Sequence, residues 1–306
     1  MRSRLAKLAF SIAALVAVPA VSYADDADAY YKQGLAYKQQ GKNDDAIAAL
    51  EKAVAANPKH GMAWASLGNL YKAKGDNAKA VSAYESATAV ITKDKVLWAN
   101  LGMAYFRNKD VDKALKALEK AKELAPNDAE VRANLGTIKR QKGDLKGAIV
   151  DLEAATKNKP DEAQYWNNLG VAYRTDKQDD NALKAYAKAV ELSPNDANFH
   201  FNLAVIYRRK QMYTEAIAEY EKATGLDPAN SDAWFDLGHS YKADHQNDKA
   251  IAAFNKYLEL KKGADPEGEK AATEAVTSMG GTVGSDKKDP KDTKKKPAPK
   301  KPAPKK

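Results

Sequence analysis

The sequence predicts an all-α solenoid made of one helix-turn-helix unit repeated seven times in tandem. Three observations carry that prediction. A small residue returns every 34 residues at Gly34, Gly68, Gly102, Gly136, Gly170, Ala204 and Gly238. Alanine returns at the same interval at Ala46, Ala80, Ala114, Ala148, Ala182, Ala216 and Ala250. The four tryptophans of the chain all occupy one position of the period, which reads Tyr30, Trp64, Trp98, Arg132, Trp166, His200 and Trp234. Self-similarity at this interval is the mark of stacked supersecondary units that bury their apolar faces against their neighbours.

Each unit holds two apolar stripes at helical spacing, such as Trp166, Leu169 and Tyr173 followed by Ala182, Ala185, Tyr186 and Ala189. The polar stretch Thr175 to Asp180 separates them and predicts a turn. Helices joined so tightly form an antiparallel pair, and columns of Gly and Ala let the two backbones approach. A second small column runs Ala53, Ala87, Ala121, Ala155, Ala189 and Ala223 before giving way to Tyr257, and prolines close five units at Pro58, Pro126, Pro160, Pro194 and Pro228. The units are 27–60, 61–94, 95–128, 129–162, 163–196, 197–230 and 231–264. The large ring at the tryptophan position is expected to fill space beside the small residues. In the fourth unit Arg132 and Lys139 replace two aromatic positions on one helix face, which predicts a softer joint there.

The pattern W-x-x-L-G-x-x-Y, then Ala, an aromatic or Leu, a second Ala and a closing Pro, resembles the tetratricopeptide repeat (TPR) family over 27–264. The resemblance implies a right-handed superhelix whose concave face is lined by the first helix of each pair.

The flanks read differently. Arg2, Arg4 and Lys7 precede an apolar run from Leu8 to Val21, and Ser22-Tyr23-Ala24 places small residues where a signal peptidase reads. This predicts a signal peptide over 1–24, with an uncleaved N-terminal anchor as the alternative. The mature chain is expected to be exported, periplasmic or secreted. The chain has no cysteine, so neither disulfides nor thiolate chemistry nor lipidation at a cysteine enters. Asp265-Pro266 opens a predicted helix over 265–280, with Ala271, Ala272, Ala275, Val276 and Met279 on one face, which would cap the last unit.

From 281 the chain becomes a basic Lys/Pro tail to 306, expected to be disordered, whose last 21 residues carry ten lysines against three aspartates. The net charge of +9 is accounted for by this tail and the first residues. The repeats themselves are near neutral, so nucleic acid is not an expected partner. The tail suits an anionic surface instead.

Two rows on the first helices depart from what packing requires. The position before Leu-Gly reads Lys32, Ser66, Asn100, Asn134, Asn168, Asn202 and Asp236. Asparagine is a mediocre helix former with no apolar surface to bury, but its amide can pair with both groups of a peptide backbone. Asn100, Asn134, Asn168, Asn202 and Asp236 are therefore the candidate peptide-binding residues. The row is similar to the asparagine ladder in the repeat superhelix of the O-linked N-acetylglucosamine transferase, although no glycosyltransferase domain follows it here. The second row is Lys38, Lys72, Phe106, Arg140, Arg174, Arg208 and Lys242, flanked by Arg107 and Arg209. Cations there complement the helix dipole. Alternatively Arg107, Arg140, Arg174, Arg208 and Arg209 form a basic rim that steers acidic segments inward. Ala65, Ala99 and Ala133 stand where the family's carboxylate clamp would carry a lysine, which argues against capture of a C-terminal carboxylate.

No enzymatic constellation appears. The four histidines His60, His200, His239 and His245 form no spaced metal set, and there is no phosphate-binding Gly-rich loop. Only His239, one turn from Asp236, reads as a groove residue. The sequence thus predicts a non-enzymatic scaffold without metal or cofactor that binds an extended segment of a protein partner during assembly of a cell-envelope or secreted complex. A second reading makes the tail the binding element and the repeats a self-associating spacer.

Overall fold

The computed structural model describes residues 21–284. Most of the expected signal segment and the basic tail from 285 lie outside them. The chain divides into two compact units, with the boundary between Ile138 and Lys139.

In the first unit, α1 (Val21–Gln39) pairs with α2 (Asn43–Ala56), α3 (Gly61–Lys74) with α4 (Asn77–Val90), and α5 (Lys95–Arg107) with α6 (Val111–Leu124). The unit boundary falls inside α7 (Ala129–Lys142). In the second unit α8 (Leu145–Asn158) packs on α9 (Ala163–Thr175), which pairs with α10 (Asp179–Leu192). Next, α11 (Ala197–Arg209) pairs with α12 (Tyr213–Leu226) and α13 (Ser231–Ala243) with α14 (Asn247–Lys261). The first helices α9, α11 and α13 also touch in succession. No described helix is long and apolar enough to cross a membrane.

Small residues do the close packing. Of the first alanine column every member is at most 1 % exposed, and the second is fully buried up to Ala223. A Cβ built on Gly170 would stand 2.6 Å from the ring of Tyr186, so α9 and α10 reach their separation only because that side chain is missing.

The helix ends follow from local chemistry. Asp76, Asp94, Asp144, Asp196 and Asn230 accept from first-turn amides at the starts of α4, α5, α8, α11 and α13. Each such cap is worth about 1 kcal/mol. Between paired helices one residue always takes the left-handed conformation: Gly41, Gly75 and Gly143, but also Lys109 (φ 66), Lys177 (φ 62), Gln211 (φ 61) and His245 (φ 59). There the chain doubles back, with Lys177 N–H on Arg174 O and Gln178 N–H on Tyr173 O.

The final helix, α15 (Pro266–Ser278), begins on Asp265, whose carboxylate accepts from Gly268 N at 3.0 Å, and it packs on α14. Ala272, Ala275 and Val276 are buried, and Met279 is half-buried. Ala271, read as part of that face, is turned to solvent.

The tryptophan column does more than fill space. Trp64, Trp98, Trp166 and Trp234 each donate an indole N–H to the carbonyl six residues earlier, at Pro58, Thr92, Pro160 and Pro228 (2.8–3.0 Å). Of the three other residues in the column, Arg132 and His200 keep the bond. Arg132 Nε donates to Pro126 O at 3.0 Å, and His200 Nε2 faces Pro194 O at 2.8 Å. From the second repeat to the seventh, the position thus supplies a ring or guanidinium nitrogen that ties the first helix to the turn before it.

Candidate functional site

The two rows singled out on the first helices interlock wherever they pair. A cation of one repeat faces the asparagine-row residue of the next, 28 positions on. In the first unit Lys72 Nζ donates to Asn100 Oδ1 at 3.3 Å. In the second, the Arg208 guanidinium meets Asp236 Oδ1 at 3.2 Å, while Asp236 Oδ2 accepts from the hydroxyl of Tyr220 at 3.1 Å.

The other row members are placed as follows. All five of Asn100, Asn134, Asn168, Asn202 and Asp236 are half-buried. Asn134 makes no side-chain hydrogen bond among the described residues. Asn168 Oδ1 accepts from Gln164 at 2.9 Å, which leaves its amide N–H groups to solvent or ligand. Asn202 is committed inward, donating to the Oδ1 of buried Asn167 at 2.9 Å.

Of the basic row, Arg140 and Arg174 are half-buried and make no hydrogen bond or ion pair among the described residues. Arg209 grips Asp179 with Nη2 to Oδ1 at 2.9 Å and Nε to Oδ2 at 3.3 Å, joining α11 to α10. It therefore serves the scaffold. Arg107 is exposed at the end of α5 and acts electrostatically on Tyr84.

His239 is half-buried against Phe235 (4.6 Å between centroids) and Phe254 (5.0 Å). Burial lowers its pKa below the usual imidazole value, and nearby Asp236 only partly opposes this. A cavity of about 310 Å³ is lined by Phe201, Phe235, Tyr257 and the carboxylates of Asp232, Asp236 and Asp265. A larger cavity, about 680 Å³, lies among α12, α13 and α14 over Trp234 and Tyr241 and includes none of the row residues. Among the described residues no group of three His, Asp or Glu could hold a metal.

A second interlock lies between first helices and the preceding second helices, and nothing in the sequence reading anticipated it. Tyr71 donates to Glu51, 20 residues earlier, at 2.5 Å, and Tyr105, Tyr173 and Tyr241 donate likewise to Glu85, Glu153 and Glu221. The signal was present: Glu51, Glu85, Glu119, Glu153 and Glu221 share one position of the period. In the fourth repeat Lys139 stands in the tyrosine position and pairs with Asp151, 2 % exposed, at 2.6 Å.

Helix pairs repeating in register, with polar rows presented from the first helices, define a solenoid scaffold of the protein-interaction class. The family model for the Cilia and flagella-associated protein 70 C-terminal domain, a TPR domain, matches residues 5–234, and a tetratricopeptide repeat model matches 207–273. The chain belongs to this family of tetratricopeptide repeat proteins.

Solved structures agree. The crystal structure of MamA is 25 % identical over 53 % of this chain and 95 % of its own, with a TM-score of 0.51. The APC/C hetero-tetramer Cut9-Hcn1 is 26 % identical over 72 % of this chain and 45 % of that one, with a TM-score of 0.56. A tetratricopeptide repeat protein from Parabacteroides merdae has the same fold at 16 % identity, covering 83 % of this chain and 99 % of its own with a TM-score of 0.61. No curated protein matches the chain.

Proposed function

We propose that the protein is a non-enzymatic scaffold that binds an extended polypeptide segment of a partner along its first-helix face. The observation that carries this reading is the half-buried row at a fixed 34-residue interval, in which Asn134 and Asn168 keep amide groups unspent by the fold. Amides repeated at one register can hold a peptide backbone with little regard to its side chains. Likeness to Cut9-Hcn1, a hetero-tetramer by its description, supports an assembly role. The N-terminal sequence pattern supports export, and with it a role in a cell-envelope or secreted complex.

The test is photo-crosslinking in the intact organism, followed by mass spectrometry of the captured protein. Capture should survive truncation after Gly284 and be lost when Asn100, Asn134, Asn168 and Asn202 are together changed to Ala, with helical content unchanged by circular dichroism. Capture that is lost on truncation and kept by the fourfold variant would transfer the function to the tail.

A further inference from the structure

The contact of Tyr220, Asp236 and Arg208 in the second unit is a carboxylate site filled from within. One carboxylate oxygen takes the tyrosine hydroxyl at 3.1 Å and the other the guanidinium at 3.2 Å. One repeat earlier the same three positions hold Tyr186, Asn202 and Arg174, so the carboxylate is gone. Asn202 has turned to Asn167. The alternative acceptor is gone as well: Tyr84 donates to Asn69 at 2.7 Å, whereas Val171 occupies that place beside Tyr186.

Tyr186 is 0 % exposed, like Tyr220, but its buried hydroxyl has no partner among the described residues. Its ring lies on Gly170, one helical turn before Arg174 on α9. Arg140 and Arg174, both without a hydrogen bond or ion pair among the described residues, lie near enough to act on it electrostatically. Burial pushes the phenol up to about 12, and Arg174, Arg140 and Arg209 oppose that rise, so the hydroxyl stays protonated and able to donate. A buried donor without an acceptor and two guanidiniums without an anion have one remedy in common.

We infer that Arg140, Arg174 and Tyr186 form a receptor for an acidic side chain of the bound polypeptide, an Asp or Glu carboxylate occupying the place that Asp236 fills one repeat later. Guanidiniums pair with carboxylates through short charge-assisted bonds, and the hydroxyl supplies a further donor. The filled site demonstrates the reach required, since Tyr220 is also 0 % exposed and still donates to Asp236. This inference rests on the proposed binding of a polypeptide to the first-helix face and adds that the partner is acidic where it crosses α9 and α11.

Fluorescence anisotropy of the full chain tests it with two labelled decapeptides ending in amides, one alternating Glu with Ser and the other Gln with Ser. The Glu peptide is expected to bind about tenfold more tightly. Arg174→Gln should abolish most of that preference while leaving the Gln peptide unaffected. Asn202→Asp, which installs an internal carboxylate, should also abolish it and raise the thermal midpoint by about 2 °C. Tyr186→Phe should weaken the Glu peptide alone, by about threefold. The tail lysines attract acidic peptides too, so all variants keep the tail. A Glu preference that survives both Arg174→Gln and Asn202→Asp belongs to the tail and overturns the receptor. Equal binding of the two peptides by the wild type overturns it while leaving the scaffold reading intact. Binding of neither peptide overturns both.

Discussion

Arg132 Nε donates to the carbonyl of Pro126 at 3.0 Å, across the same six residues that every tryptophan of the chain spans with its indole N–H. An arginine in an aromatic column is thus a substitution of donor for donor.

Replacing Arg132 by Trp should therefore cost little, within about 0.5 kcal/mol, whereas Arg132→Ala should lose about 1 kcal/mol through the unmade bond. Urea unfolding followed by circular dichroism would measure both. Equal losses in the two variants would show that the bond contributes nothing.

Lys139 faces a carboxylate, Asp151, that is 2 % exposed. Lys139→Met should destabilise the chain by about 3 kcal/mol, because removing one partner of a buried pair costs far more than replacing both. Adding Asp151→Leu should recover most of the loss. A double variant no more stable than the single one would contradict this. Hydrogen exchange across 129–162 would report separately on the predicted softness of the fourth repeat, with protection equal to its neighbours counting against it.

Lys109, Lys177 and Gln211 hold left-handed backbone that suits glycine, as Gly41, Gly75 and Gly143 do at the same position. Each change to Gly should stabilise by about 0.5–1 kcal/mol, the relief of strain exceeding the added freedom of the unfolded chain. A fall in the thermal midpoint of Lys177→Gly would refute the reasoning.

His239 should make stability depend on pH. Its folded-state pKa is depressed by burial, so its contribution is present above about 6.5, the ordinary imidazole value, and is lost as pH falls through the lower folded value. Denaturant midpoints at pH 7.5 and pH 5 should differ less in His239→Phe than in the wild type. An unchanged difference would assign the pH dependence elsewhere.

The sequence disclosed the period, because Ala46 and its counterparts allow no larger side chain without separating the helices. The tryptophan column was legible as a position but not as a donor, since Trp, Arg and His share nothing in hydropathy and only the geometry reveals their common N–H. The left-handed turn position escaped notice for a related reason: Lys177 and Gln211 are not turn residues by type, and the demand comes from the backbone of the pair they connect. The asparagine and arginine rows were visible, but as separate features. Sequence places them six residues apart on one helix, while in space the cation of one helix meets the row residue of the next.

That cross-repeat pairing makes the chain's specificity a matter of adjacency. Where the rows pair, at Lys72 with Asn100 and at Arg208 with Asp236, neither unit encodes the contact alone, since each supplies one half of it. Excising residues 197–230 would keep the period, yet it would set Arg174 opposite Asp236 and close by juxtaposition a place that the full-length chain leaves open. Loss or duplication of whole units could in this way rewrite what the surface recognises without altering one amino acid of those retained.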